Sequence, residues 1–165
     1  MEIGAELAVV LSDSEERTEE VGEALGLVLG AGDVVLLVGD LGAGKTALSR
    51  GIARGLGITE RVVSPTFVIV RQYRGRVPLA HADLYRLAEG DAFAIDMLEL
   101  GEKGSVTLIE WGDRSAGIFA ELDPLTVVFE ADGGHHRRIS FFASSRWAGR
   151  LARAGLADRA SRAGT

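Results

Sequence analysis

The chain has no cysteine, no asparagine, three prolines, and two lysines against sixteen arginines. Without Cys there is no disulfide framework, no thiolate metal site and no sulfur nucleophile. Without Asn, the base-reading Asn-Lys-x-Asp signature of guanine-specific GTPases is excluded. A protein-kinase catalytic loop is excluded too, because it ends in a metal-binding Asn. Long apolar runs are also missing. The longest strongly apolar stretch, Val34–Val38, is far too short to span a bilayer. The first residues, Met-Glu-Ile-Gly-Ala-Glu, lack the basic start and apolar core of a signal peptide. The expectation is a soluble, cytoplasmic protein with no membrane partner.

What is present fits one globular domain. The chain has 165 residues, 47% apolar and 25% charged, enough to bury a real core. A net charge of −6 argues against a generic nucleic-acid binder. The charge is uneven: from Arg146 onward five Arg face a single Asp158, a local balance of +4, so the rest carries −10. The expected division is a main domain over residues 1–144 and a basic C-terminal helix or tail over 145–165.

Residues 6–11 read as a first strand, and Ser12 with Glu15 three residues on forms a capping-box pattern. Val21, Leu25, Val28 and Leu29 then fall at helical spacing, and Gly30 and Gly32 end the helix. The run from Asp33 to Gly39 has no polar alternation, as in a parallel strand buried on both faces. A glycine-rich turn follows, then a helix over 46–56 stopped by Gly57. Residues 67–74 and 77–83 read as an antiparallel hairpin turning at Arg74-Gly75-Arg76. A helix is expected over 88–100 and a buried strand over 105–111. Strands at 125–131 and 137–143 flank Asp132-Gly133-Gly134, a strong hairpin signal. Residues 145–156 read as an amphipathic helix, with Trp147 and Leu151 on one side and Arg146, Arg150 and Arg153 on the other.

Gly39-Asp40-Leu41-Gly42-Ala43-Gly44-Lys45-Thr46 satisfies the G-x-x-x-x-G-K-[ST] pattern of a phosphate-binding loop. Glycines let successive backbone N–H groups turn inward on phosphate oxygens, and the following helix offers its positive end to the same anion. Lys45 is the point charge for the β- and γ-phosphates, and the Thr46 hydroxyl is the group for Mg²⁺. Composition alone predicts about 0.004 such matches by chance in a chain like this. The match also lies between a buried strand and a helix, as the motif requires. The fold class follows: an α/β, P-loop NTPase-like three-layer domain with a mixed sheet and antiparallel hairpins.

Such a loop needs a carboxylate at the end of a neighbouring strand for the metal or its waters. Glu110 closes Val106-Thr-Leu-Ile-Glu, and a carboxylate after four such residues is expensive to bury idle. Asp83 closes Val77-Pro-Leu-Ala-His-Ala-Asp, and the residues alone leave it open between metal acid and hairpin cap. His81 lies two residues before Asp83 on the same strand face, where it either orients a water or carboxylate or is a structural histidine. His135 and His136 fall in a hairpin turn, where exposure is the default. Three histidines, two of them adjacent, show no ligand spacing. Ser64-Pro65-Thr66-Phe67 is either a hydroxyl-bearing segment near the γ-phosphate or an ordinary Ser-Pro turn.

Together these segments resemble the TsaE family, small bacterial ATPases needed for threonylcarbamoyladenosine in tRNA. The resemblance is carried by Gly39–Thr46, Ser64-Pro-Thr-Phe67, His81-Ala-Asp-Leu-Tyr-Arg-Leu87 and Ile109-Glu-Trp111, in family order, over about residues 5–143. It implies ATP or ADP with Mg²⁺, with Thr46 and Glu110 on the metal. It favours Asp83 as a functional acid, Thr66 as part of a mobile segment and Trp111 as functional rather than core. The family's late hairpin carries Gly-Arg near the nucleotide; here His135 follows Gly134, with Arg137 and Arg138 slightly later. The resemblance further implies an ATPase that is weak alone and stimulated by TsaB- and TsaD-like partners, meeting tRNA only through that complex. The competing class is a small-molecule kinase using the same loop, but no lid insertion is evident. A nucleotide-binding module without hydrolysis is the third class.

Overall fold

A computed structural model describes residues 4–40, 42, 44–63, 70–83, 104–110, 119–131, 134 and 136–156. The expected helix over 88–100 lies outside them. The described strands are β1 (Ala5–Ser12), β2 (Val34–Val38), β3 (Val70–Tyr73), β4 (Leu79–Asp83), β5 (Val106–Glu110), β6 (Leu125–Ala131) and β7 (Arg137–Ala143), and the helices are α1 (Glu15–Val28), α2 (Lys45–Gly55) and α3 (Ala148–Arg153). The strands form one mixed sheet in the order β1-β7-β6-β2-β5-β4-β3. Its centre is parallel: β2 pairs with β5 and β6, and β5 with β4. Antiparallel hairpins β3–β4 and β6–β7 flank it, and β1 adds to β7. The α/β class and both hairpins agree with the sequence.

The parallel centre explains the unbroken apolar run of β2. Val34, Val35, Leu36 and Leu37 are all buried, so neither sheet face meets water there. On one face Val10, Val35, Leu37, Leu108, Val127 and Phe141 pack with Leu25, Leu48, Ile52, Trp147 and Leu151 of the helices.

Helices α1 and α2 run in the same direction. Arg50 pairs with Glu15 at 3.3 Å, and Arg54 with Glu19 at 3.3 Å and Glu23 at 3.2 Å, so the contacts advance together along both. Gly22 and Gly26 of α1 face this contact, as do Gly51 and Gly55 of α2. At Gly51 a Cβ would lie 2.0 Å from the Glu19 carbonyl oxygen, so only glycine permits this approach. At the far end Arg76, in the β3–β4 turn, donates to the Gly26 and Gly55 carbonyls at 3.1 and 3.5 Å. One guanidinium thus serves the negative ends of both helices.

Helix α1 starts differently from expectation. Its N-cap is Ser14, which accepts from the Arg17 N–H, with Glu15 and Glu16 in the first turn. Ser12 instead ends β1 opposite Arg137, and its hydroxyl bonds Thr18 Oγ1 at 2.8 Å. Strand pairing took the residue that the local pattern offered as cap.

The C-terminal helix shows the expected amphipathicity, with Trp147 and Leu151 buried. Arg150 is the exception among its arginines. It pairs with Asp33, donates to the Val28 carbonyl at 2.8 Å and lies 4.1 Å from the Trp147 ring centroid.

Candidate functional site

The loop over residues 39–46 leaves the C-terminal end of β2 and enters α2. Gly44 is the N-cap of α2, with φ 108° and ψ 7°, a left-handed conformation that side chains resist. Among the described residues no side chain caps this helix, and its first turn holds no acid. A helix start of this kind suits an anion, with the positive end of the helix behind it. Helix α1, with Ser14 and two glutamates, is closed at the equivalent place.

Lys45 is buried, and its Nζ donates to the Gly39 carbonyl at 2.7 Å. The ammonium thus arches back over the loop that it opens into the helix. Thr46 is half-buried in the first turn of α2, while Asp40 and Gly42 are exposed. Leu41 and Ala43 lie outside the described residues.

Two carboxylates meet at the same sheet edge. Asp83 ends β4 and Glu110 ends β5, and the parallel register pairs them directly. Glu110 is also the register partner of Leu37 in β2, next to where the loop begins. Open α/β sheets bind ligands at such carboxyl ends. Glu110 is 3% exposed and Asp83 is half-buried. Strand alternation puts both on the face of Leu108 and Leu37, the face covered by α2. His81 shares that face and is fully buried, with Nε2 3.4 Å from Glu110 Oε1.

The donors gathered here are hydroxyl and carboxylate oxygens, which suit a hard divalent cation. Among the described residues no group of three or more His, Asp or Glu forms a cation cage.

A contact without a local sequence signal closes the loop from the other side. Arg137, at the start of β7, donates from Nη2 to the Gly42 carbonyl at 3.1 Å. Its Nη1 donates to the Gly134 and His136 carbonyls at 3.0 and 2.9 Å. These bonds strap the β6–β7 hairpin to the loop. Thr18 also approaches: its Cγ2 lies 3.7 Å from where a Cβ on Gly44 would sit. Thr66, Trp111 and His135 lie outside the described residues. No helix among the described residues is long and apolar enough to cross a membrane.

The family model described as "Threonylcarbamoyl adenosine biosynthesis protein TsaE" matches residues 12–139. A Treponema pallidum protein named tRNA threonylcarbamoyladenosine biosynthesis protein TsaE is 43% identical over 135 residues, 79% of this chain and 98% of that one. Its Bacillus subtilis namesake is 39% identical over 133 residues, 78% of this chain and 80% of that one. A crystal structure of Bacillus subtilis YdiB superposes with a TM-score of 0.71 at 32% identity, covering 89% of this chain and 93% of that one. With the loop, the paired strand-end acids and the sheet order in place, the chain belongs to the TsaE family.

Proposed function

We propose that the protein binds ATP or ADP with Mg²⁺ and hydrolyses ATP in the service of threonylcarbamoyladenosine synthesis on tRNA. The role in that biosynthesis is supported by the family match and by the names of the curated relatives. The observation that carries the nucleotide reading is the uncapped N-terminus of α2 at left-handed Gly44. Lys45 is the first residue of that helix, and Glu110, registered with Asp83, is also in register with Leu37 of the strand that leads into the loop.

Each residue has a distinct task in this reading. The N–H groups of the loop and Lys45 Nζ bind phosphate oxygens, Lys45 exchanging its Gly39 contact for the anion. Thr46 Oγ1 and the Glu110 carboxylate hold Mg²⁺, with Asp83 in the same shell. When bound, the cation supplies positive charge against the β- and γ-phosphate oxygens. Glu110 or Asp83 orients the attacking water, and burial of Glu110 keeps its carboxylate in one place. The family resemblance adds Thr66 and Trp111 as candidates for the site, and His135, which follows Gly134 where the family has Arg, is a further candidate for the nucleotide.

The family resemblance supports an ATPase that is weak by itself and faster with TsaB- and TsaD-like partners, a partner supplying groups for the charge of the transition state. Contact with tRNA is then indirect, through that complex, and the protein acts in the cytoplasm. The test is phosphate release from ATP by the purified chain, with and without TsaB and TsaD. Slow release alone and clear stimulation by the pair is the expected result. Equal rates refute the coupling, and phosphate transfer to a metabolite in place of release refutes the ATPase.

A further inference from the structure

We infer that His81 is a positioning residue for Glu110, and that its imidazole sets how much Mg²⁺ the site requires. The inference rests on the nucleotide reading above and deepens it.

His81 lies opposite Leu108 in the β4–β5 register, two residues before Asp83, on the strand beside the one that ends in Glu110. On that face Leu79, Val106, Leu108 and Leu37 are buried, and the strand ends carry Asp83 and Glu110. An imidazole in such a place gives up hydration that a leucine would not have needed. Among the described residues neither ring nitrogen makes a hydrogen bond. Among the described residues the polar neighbour of the ring is the Glu110 carboxylate, 3.4 Å from Nε2. That distance is a few tenths of an ångström beyond the usual N–H···O range of about 2.7–3.2 Å. The ring therefore restrains the carboxylate by position and polarity. It presents Nε2 to one oxygen of the carboxylate. Carboxylates that hold metals are generally oriented by such outer partners, whose loss costs about 10–100-fold in metal affinity. The two strands are rigid and buried, so the restraint is built into the sheet rather than into a loop.

The experiment is calorimetric ATP binding across a Mg²⁺ series and in EDTA, on the full chain, with thermal unfolding measured in parallel. His81→Phe keeps the ring volume and removes both nitrogens. Folded His81→Phe is expected to bind ATP in EDTA as wild type does, and to need roughly tenfold more Mg²⁺ for the metal-linked gain in affinity. His81→Gln, which returns a donor near the Nε2 position, is expected to recover most of that loss. In a Glu110→Gln background neither substitution changes the Mg²⁺ requirement further. An unchanged requirement in His81→Phe overturns the inference, as does an equal loss of affinity with and without metal, which marks a purely structural histidine. If His81→Phe fails to fold, His81→Leu, which also removes both nitrogens, takes its place with the same expectation: a roughly tenfold higher Mg²⁺ requirement supports the inference and an unchanged one overturns it. Wild-type protein with no Mg²⁺-linked ATP affinity overturns the functional reading and this one together. Wild-type linkage with unaltered variants overturns this one alone.

Discussion

Asp83 and Glu110 are register partners across the parallel β4–β5 pair, so two carboxylates end adjacent strands at one height. Leu37 of β2 is the partner of Glu110 on its other side. Glu110 therefore stands beside the strand that leads into the glycine-rich loop, and Asp83 one strand further out.

This arrangement separates binding from chemistry. Glu110→Gln keeps the shape and hydrogen-bonding capacity of a nearly buried side chain and removes its charge. Turnover should fall on the order of 100-fold, with a change in nucleotide affinity of a few-fold at most. Asp83→Asn should behave alike if it shares the metal shell, and change little if it only closes the hairpin. Single-turnover hydrolysis with the partners present is the measurement. Near-normal turnover in Glu110→Gln would make Asp83 the working acid.

Lys45 and Thr46 should divide differently. Lys45→Ala removes the charge proposed for the phosphates, and ATP affinity should fall by at least about 100-fold with or without metal. Thr46→Ala should cost affinity chiefly in the presence of Mg²⁺. Calorimetry in Mg²⁺ and in EDTA separates the two. A Lys45→Ala protein binding Mg²⁺–ATP as tightly as wild type would remove the loop from the site.

Arg137 ties the Gly42 carbonyl to the β6–β7 hairpin from 95 residues away in sequence. The bonds are exposed, so they contribute little to global stability. Their effect should be on the loop. Arg137→Ala should lower ATP affinity by about 5-fold, in Mg²⁺ and in EDTA alike, while the unfolding midpoint moves by no more than roughly 2 °C. A drop in the midpoint with unchanged affinity would make the strap structural only.

The α1–α2 contact should tolerate no added methyl at its tightest point. A Cβ on residue 51 would meet the Glu19 carbonyl oxygen at 2.0 Å, and backbone cannot yield as a side chain can. Gly51→Ala should cost about 2–3 kcal/mol, a fall of roughly 5–10 °C in the unfolding midpoint. Thermal unfolding monitored by circular dichroism reads this directly. A midpoint within a degree of wild type would show that the helices can separate freely.

Much of the molecule was legible because its signals are local. The run Val34–Val38 has no polar alternation, since the β2 strand it forms is buried on both faces. The phosphate loop depends on glycines and a lysine at fixed spacing, and Gly44 has the left-handed geometry that the pattern requires. The cap of α1 misled because Ser12 and Ser14 are both plausible, and only the pairing of β1 with β7 decides between them. Position relative to Asp83 told that His81 shares its face, but not that it stands beside Glu110. That contact depends on register between strands separated by a long connection. Arg137 and Gly42 meet for the same kind of reason, through the order of the sheet, which no short segment encodes.

The parallel course of α1 and α2 also shapes the electric field at this edge. Two helices that start together present two positive poles to whatever approaches. Glu15 and Glu16 quench the first, while no acid stands in the first turn of the second. In a chain of net charge −6, the start of α2 is a place that still favours an approaching anion. The contrast between the two helix starts therefore works as a guide to orientation. A nucleotide gains most by arriving phosphates first, and added salt should slow its association by screening that guidance.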